Sequence, residues 1–438
     1  MKIHDADVSA TPAVSAARGW LALSPVAVFL LLYVAVSLIL DDFYKMPISV
    51  ALLVASAWGV AILRGRPLLK RIEIFSRAAG HANILYMIWV FILAGAFATV
   101  AKSIGAVDAT VSLALRAFPP QYVVPMLFFA SCFISLSIGT SVGTVVALAP
   151  LASQIALSSG GDVAFYVAVV LGGAFFGDNL SFISDTTIAA TRSQNCDMAD
   201  KFKANLRIAL PAAIVTLVIY IITGAGATEV ELPADSDWTL IIPYLVVLGC
   251  AVAGINVTIV LSLGIVAAMV LGLTHGHSLI GMASSAGEGI DGMGSLIIIT
   301  LLAAGMLGVI KEAGGIQFLL HLLTRHISGR RGGQAVIALL VGIVNLCTAN
   351  NTVAIITVGG LARDISQRYG IDRRKTASLL DSTSCVVQSL LPYGAQTLLA
   401  TGLAGISPAA PFGYLYYPWA LACMIVVSIL IRRRTPAA

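Results

Sequence analysis

Apolar residues along the chain gather into about ten stretches, each close to the ~20 residues that a helix needs to cross the hydrocarbon core of a bilayer. In the first half they cover residues 21–40, 47–63, 83–101, 162–191 and 208–226; in the second half they cover residues 239–255, 257–274, 294–310, 376–405 and 414–431. Short polar segments separate them. The pattern predicts an all-α polytopic membrane protein.

Each half also contains a region that does not fit a simple span. Residues 123–157 and 335–362 have apolar arms of roughly 10 to 16 residues, too short to cross a bilayer, on either side of polar turns at 139–144 and 348–352. They predict re-entrant hairpins, whose tips must face protein or a water-filled cavity because non-helical backbone at that depth needs hydrogen-bond partners. The stretches 162–191 and 376–405 are interrupted by polar residues, which predicts a broken helix in each half.

The same order of segments in both halves predicts an internal repeat. The predicted organisation is a leader at 1–20, a first repeat at 21–226, an outer linker at 227–238, a second repeat at 239–431 and a tail at 432–438. If a hairpin makes no net crossing, each half crosses the membrane an odd number of times. The two repeats are then inverted relative to each other.

Charge supports this topology. The chain is 58% apolar and only 11% charged, with a mean hydropathy of +0.95, far from a soluble protein. With a cytoplasmic N-terminus, 23 of the 26 Lys and Arg residues lie in cytoplasmic segments, leaving Lys45, Lys102 and Arg116 outside. This distribution follows the positive-inside rule and predicts cytoplasmic termini in the cell membrane. The net charge of +5 therefore requires no nucleic acid partner.

Two carboxylates, Asp178 and Asp185, stand in the first broken helix. A charge at membrane depth commonly costs a few kcal/mol, so both are candidate functional groups. Hard cations such as sodium prefer oxygen ligands, and a break in the helix is expected to add free backbone carbonyls. The neutral polar residues beside the two carboxylates are Asn179, Ser181, Ser184, Thr186 and Thr187.

A buried carboxylate that can hold either a proton or a sodium ion exchanges one for the other. We expect Asp178 to be that group, because it follows Gly177 at the end of an apolar run, and Asp185 to be either a second ligand or a structural hydrogen-bond acceptor. On one intact helix the two would lie about 10 Å apart along the axis, so they approach only if the segment unwinds. Asp185 has an alternative role as the cap of the second half-helix.

The second half offers Asp381 and Ser384 ahead of a break around Pro392 and Gly394. Polar residues at both hairpin tips complete the candidate site. Taken singly, such residues often hydrogen-bond within their own helix or join two helices, but together at two matched tips they favour a site. These tip residues are Thr140, Ser141, Asn350 and Asn351.

The run from Gly172 to Thr187, GGAFFGDNLSFISDTT, resembles the signature of the NhaC family of sodium/proton antiporters, although Phe182 stands where that family usually has proline. The similarity in layout covers nearly the whole chain. It implies inverted repeats, a site between hairpin tips and broken helices, and a homodimer with an elevator-like motion. The tip ligands it implies are Thr140, Ser141, Asn350, Asn351 and Thr352, and sodium would be held by Asp178, Asn179, Asp185, Thr140 and Asn351.

Three functions compete. Sodium/proton antiport is favoured because neither broken helix contains a Lys or Arg that would pair with an organic anion. The alternative is sodium- or proton-coupled transport of organic acids or amino acids, with a half-helix N-terminus binding the substrate carboxylate. An intramembrane aspartyl protease is disfavoured, because Phe175 stands where Gly-x-Gly-Asp needs glycine. We therefore expect a transporter in the lipid bilayer, not an enzyme, with no cofactor and with sodium and protons as cargo.

Overall fold

The protein is described by a computed structural model that covers residues 16–39, 47–117, 120–181, 184–224, 237–253, 255–324 and 329–431. Phe182, the tail at 432–438, and most of the predicted leader and of the linker 227–238 lie outside these ranges.

The described residues are almost entirely helical, and no strand occurs among them. The all-α prediction is therefore confirmed. Two short 3-10 helices lie at Trp238–Ile241 and Ala410–Tyr414. The α-helices, in chain order, are α1 (Ala16–Ile39), α2 (Ile48–Ile62), α3 (Leu68–Ala79), α4 (Ala82–Ser103), α5 (Ala106–Ala117), α6 (Pro120–Ile138), α7 (Ser141–Ser158), α8 (Val163–Leu180), α9 (Asp185–Gln194), α10 (Met198–Gly224), α11 (Ile242–Val252), α12 (Val257–Thr274), α13 (Leu279–Gly292), α14 (Gly294–Glu312), α15 (Gly315–Thr324), α16 (Gly329–Thr348), α17 (Asn351–Arg368), α18 (Arg373–Ser389), α19 (Ala395–Ala404) and α20 (Tyr416–Leu430).

Within the described residues, seven helical segments are long and apolar enough to cross a membrane. Two of these segments run over a break, one through α8 and α9 and the other through α13 and α14. Five shorter apolar helices accompany them. The chain is a multi-pass membrane protein.

The chain divides into two compact units. The first comprises residues 1–79 and 302–327, and in its described part α1 packs against α2 and α15. Its basic run forms α3, where Glu73 pairs with Lys70 and Arg77 one turn away on either side, both at 2.8 Å. The hydrogen bond from Lys70, followed by its charge, lowers the pKa of Glu73.

The second unit comprises residues 80–301 and 328–438 and contains both hairpins and both broken helices. Helices α6 and α7 form one hairpin, α16 and α17 the other; α8–α9 and α18–α19 are the broken helices. The repeats interleave, because α17 of the second hairpin packs against α9, and α7 of the first packs against α19. Each hairpin therefore packs against the broken helix of the other repeat.

The repeat has a constant register. Helices α17, α18 and α19 each begin 210 residues after α7, α8 and α9. Asp162 and Asp372 cap α8 and α18 in the same way, each accepting a hydrogen bond from the backbone N–H two residues later. Asn195 and Gly405, at the ends of α9 and α19, are both left-handed. The positions 210 residues apart are thus structurally equivalent.

Four helices occupy segments that the sequence pattern treats as loops or linkers: α3, α5, α13 and α15. Each has 10 to 14 residues, which is too short to be recognised as a span. Helix α13 lies against α4 with Gly95 and Gly289 in close approach, since a Cβ on either glycine would meet the backbone of the other. Small residues therefore let α13 pack closely against α4, in a segment where the sequence predicts an outer loop.

Gly177 permits the close packing of α8 on α6. A Cβ at this position would collide with the backbone nitrogen of Leu136 and with Ser135. We expect Gly177→Ala to destabilise the fold by about 1–3 kcal/mol, the usual cost of overpacking, and to lower the thermal unfolding temperature in detergent. Gly360→Ala on α17 is the matched control, because a Cβ there meets nothing within 4 Å. Equal unfolding temperatures for the two variants would contradict the packing argument.

Candidate functional site

The break between α8 and α9 is closed by hydroxyl groups. The backbone N–H of Ser181 donates to the carbonyl of Gly177 at 2.8 Å, and the Thr187 hydroxyl donates to the carbonyl of Ser181 at 2.7 Å. Ser184 caps α9 by accepting from the N–H of Thr187, and its hydroxyl lies 3.0 Å from the carbonyl of Asp178. The carbonyls of Gly177, Asp178 and Ser181 at the break thus each accept a hydrogen bond from within the chain.

A chain of hydrogen bonds joins Asp178 to both hairpin tips; we call it the tip network. Ser141, at the first tip, lies 3.1 Å from Asp178 Oδ2 and donates to it. Gln396 on α19 donates to the Ser141 hydroxyl at 3.1 Å and accepts from Gln388 on α18 at 3.0 Å. Gln388 also donates to the carbonyl of Ala349 at the second tip, at 3.1 Å. The network thus links the two tips, α18 and α19 to one carboxylate, which Ser141 contacts directly.

Gln388 is the residue 210 positions after Asp178. The register of the repeat therefore places a neutral amide where the first repeat has its carboxylate. The same register pairs Ser141 with Asn351, the first residue of α17. The helices of the two repeats thus begin at equivalent positions here, but the repeats differ in charge, because the second repeat has Gln388 in place of Asp178.

A second group, the lysine cluster, surrounds Asp381. Lys201 Nζ on α10 lies 2.6 Å from Asp381 Oδ2, 2.8 Å from the carbonyl of Asn179 and 2.6 Å from Thr187 Oγ1. Asn205, one turn later, donates to Asp381 Oδ2 at 2.7 Å and to Asn179 Oδ1 at 2.6 Å. All five side chains are buried. The ammonium group of Lys201, on α10, thus joins α8, α9 and α18.

Lys201 and Asn205 belong to the candidate site, and the sequence pattern does not predict them. The charge distribution assigns Lys201 to a cytoplasmic segment, but the side chain is fully buried. A signal was present, because the two residues are four apart on a predicted helix and so share one face. Gln388 and Gln396 were also missed, although they flank the second break.

The structure distributes the predicted site residues over both groups. Asp178 and Ser141 join in the tip network, whereas the Asn179 side chain is directed to the lysine cluster by Asn205. Ser384 donates to the carbonyl of Asp381 at 2.9 Å, and Thr186 Oγ1 lies 3.1 Å from Ser184 Oγ.

Other predicted residues take structural positions. Asp185 is exposed at the first position of α9, and the capping role considered for it belongs to Ser184. Thr140 and Asn350 are the N-cap residues of α7 and α17, and the Asn350 side chain accepts from the N–H of Val353. Asn351 is buried and Thr352 half-buried. Of the predicted sodium set, Asp178 lies in the tip network, Asn179 in the lysine cluster and Asp185 at an exposed position. The other two, Thr140 and Asn351, lie at the start of α7 and of α17.

Known proteins resemble this chain over most of its length. A model of the Na+/H+ antiporter family matches residues 5–225 and 230–432. The chain is 22% identical over 441 residues to the malate-2H(+)/Na(+)-lactate antiporter of Bacillus subtilis, covering 92% of each protein. It is 25% identical over 397 residues to the Na(+)/H(+) antiporter NhaC of Alkalihalophilus pseudofirmus, covering 82% of this chain and 84% of that one.

More distant similarities accompany these. The arginine/ornithine antiporter ArcD of Halobacterium salinarum is 21% identical over 348 residues, covering 72% of each protein. Among solved structures, the YdaH transporter of Alcanivorax borkumensis is 13% identical with a TM-score of 0.40, covering 92% of this chain and 97% of that one. The resemblance to NhaC is confirmed, and since the family model matches nearly every residue, the chain belongs to the Na+/H+ antiporter family.

Proposed function

We propose that this protein exchanges sodium for protons across the cell membrane and that Asp178 is the carboxylate that carries them in turn. One observation carries the proposal. Of the two buried carboxylates in the described part of the chain, Asp381 has Lys201 at ion-pair distance and Asp178 has no such basic partner there. Asp178 instead accepts one hydrogen bond, from the hydroxyl of Ser141.

A buried carboxylate without a counter-ion is costly as an anion, because desolvation is not offset by an opposite charge. Such a group is stabilised by a proton or by a bound cation, and one excludes the other. Competition for Asp178 therefore couples the entry of one ion to the exit of the other. The hydroxyl oxygen of Ser141 lies 3.1 Å from Asp178 Oδ2 and offers sodium a neutral ligand beside the carboxylate.

Alternating access requires the site to face each side of the membrane in turn. The interleaved repeats support a movement of hairpins and broken helices together, in the manner of an elevator, with the two repeats inverted and both termini in the cytoplasm. A homodimer would supply a fixed partner for such a movement.

The second candidate is coupled transport of an organic acid or amino acid. Two relatives act on such solutes by name, one on malate and lactate and one on arginine and ornithine. The buried Lys201 offers no free donor to a substrate carboxylate, because its three N–H groups point at three protein oxygens. That observation favours the inorganic exchange.

Proteoliposomes separate the two candidates. Purified protein is reconstituted with a pH-sensitive dye inside, and a sodium gradient is applied with no organic solute present. Sodium-driven proton movement above that of empty liposomes is expected. If protons do not move and labelled malate, lactate or arginine is taken up in its place, the second candidate is correct and the first is rejected.

A further inference from the structure

The ammonium of Lys201 lies in a cage of oxygen atoms. A carboxylate oxygen of Asp381, the hydroxyl oxygen of Thr187 and the backbone carbonyl of Asn179 are 2.6, 2.6 and 2.8 Å from Nζ. The lysine side chain is 1% exposed and that of Asp381 is fully buried. All three N–H donors of the ammonium therefore have an acceptor.

This set of oxygens is the kind that holds a hard monovalent cation. One ligand is anionic and two are neutral, and no nitrogen or sulfur belongs to the set. The three ligand residues are among those that the sequence assigns to a transported cation. In the folded protein, the ammonium group of Lys201 fills the position that these three oxygens define.

The helix geometry favours a cation at this point. Asn179 lies in the last turn of α8, where the carbonyls carry the negative end of the helix dipole. Asp381 adds a full negative charge, and its Oδ1 atom is buried without a hydrogen-bond partner. Removal of the ammonium would leave a carboxylate, a carbonyl and a hydroxyl directed at one small space.

We propose that Lys201 is a resident cation, tethered to α10, which occupies a second cation position and so restricts the protein to one transported ion at a time. This inference takes from the proposed function only that one ion binds at Asp178. The role of Lys201 at Asp381 does not depend on it. The charges agree with it: among the described residues, the buried Asp, Glu, Lys and Arg are Asp178, Asp381 and Lys201. Their sum is one negative charge, which a single sodium ion or proton neutralises.

The inference makes Lys201 a determinant of ion number. Without it, the buried charge becomes two negative charges, and the vacated cage takes a second monovalent cation. Large-to-small changes at other positions would also open space, but they would not create a second cation position, because that position needs the carboxylate of Asp381. The dependence on Asp381 separates the role from one of simple packing.

The test is the number of sodium ions bound per chain, measured by equilibrium dialysis of purified protein against radioactive sodium. Lys201→Ala is expected to double the number bound relative to wild type. Lys201→Ala/Asp381→Asn is expected to return to the wild-type number. Lys203→Ala, an exposed lysine two residues along the same helix, is the matched control and is expected to bind as wild type does.

Equal binding by Lys201→Ala and by the double variant would overturn the inference. If the wild type binds no sodium and Lys201→Ala binds one ion that requires Asp381, the resident cation stands and the proposed exchange at Asp178 fails. Should Lys201→Ala aggregate in choline chloride, its recovery is measured in sodium chloride and in n-butylammonium chloride. Recovery that needs a small cation and is lost in the double variant supports the inference; recovery independent of the cation rejects it.

Discussion

Asp178→Asn is expected to reduce sodium-dependent proton movement in proteoliposomes to the level of empty liposomes. The amide cannot release or take up a proton at any pH that the protein survives, and it brings no charge to a sodium ion. Its size matches that of the carboxylate, so Ser141 keeps a hydrogen-bond acceptor at 3.1 Å. Membrane insertion and thermal stability should therefore remain close to those of wild type.

Asp364→Asn provides the control, because it makes the same chemical change on the exposed surface of α17. It is expected to exchange ions as wild type does. Wild-type exchange in Asp178→Asn would show that another group carries the ions. Loss of exchange in both variants would show that removing any carboxylate abolishes exchange. Asp178 would then have no specific role.

Asp381→Asn is expected to have the second-largest effect, a destabilisation of about 3–5 kcal/mol, the usual cost of leaving one partner of a buried ion pair alone. Lys201 would keep its charge in a site with no exposure to solvent and with only neutral oxygens around it. Thermal unfolding in detergent measures the change. We expect the loss to exceed that of Gly177→Ala.

The double variant Lys201→Met/Asp381→Asn tests the cause. Methionine has nearly the length of lysine and no charge, so it removes the isolated ammonium while filling most of its volume. Recovery of much of the lost stability is expected. If the double variant unfolds at the same temperature as Asp381→Asn, the loss comes from packing or from the Asn205 hydrogen bond, and the electrostatic explanation is wrong.

Much of the architecture follows from local patterns. The first tip and both breaks lie where polar residues interrupt apolar stretches, so that α7 begins at Ser141 and α9 at Asp185, as interruptions of the helical pattern indicate. Short helices such as α13 escape prediction, because they are amphipathic or rich in small residues and fall below spanning length. Their position depends on a partner helix that is distant in sequence.

The candidate site is predicted less completely than the fold. Asp178 stands out because a carboxylate in an apolar stretch is rare. Lys201 does not, because a basic residue just before an apolar stretch is typical of the cytoplasmic boundary. Its burial depends on Asp381, which lies on α18 in the second repeat. The side-chain direction of Asn179 is likewise fixed by Asn205, and neither contact has a signature in the local sequence.

The interleaving of the repeats has a consequence for biosynthesis. Gln396 reaches Ser141 across 255 residues of sequence, and α17, the hairpin helix that packs against α9, is made long after α9. During translation, the first repeat therefore enters the bilayer with Asp178 lacking part of its final hydrogen-bonded surroundings. The proposed ion site is therefore complete only when nearly the entire chain has been inserted, and a chain that ends before α19 is left with a membrane-embedded carboxylate in an incomplete setting.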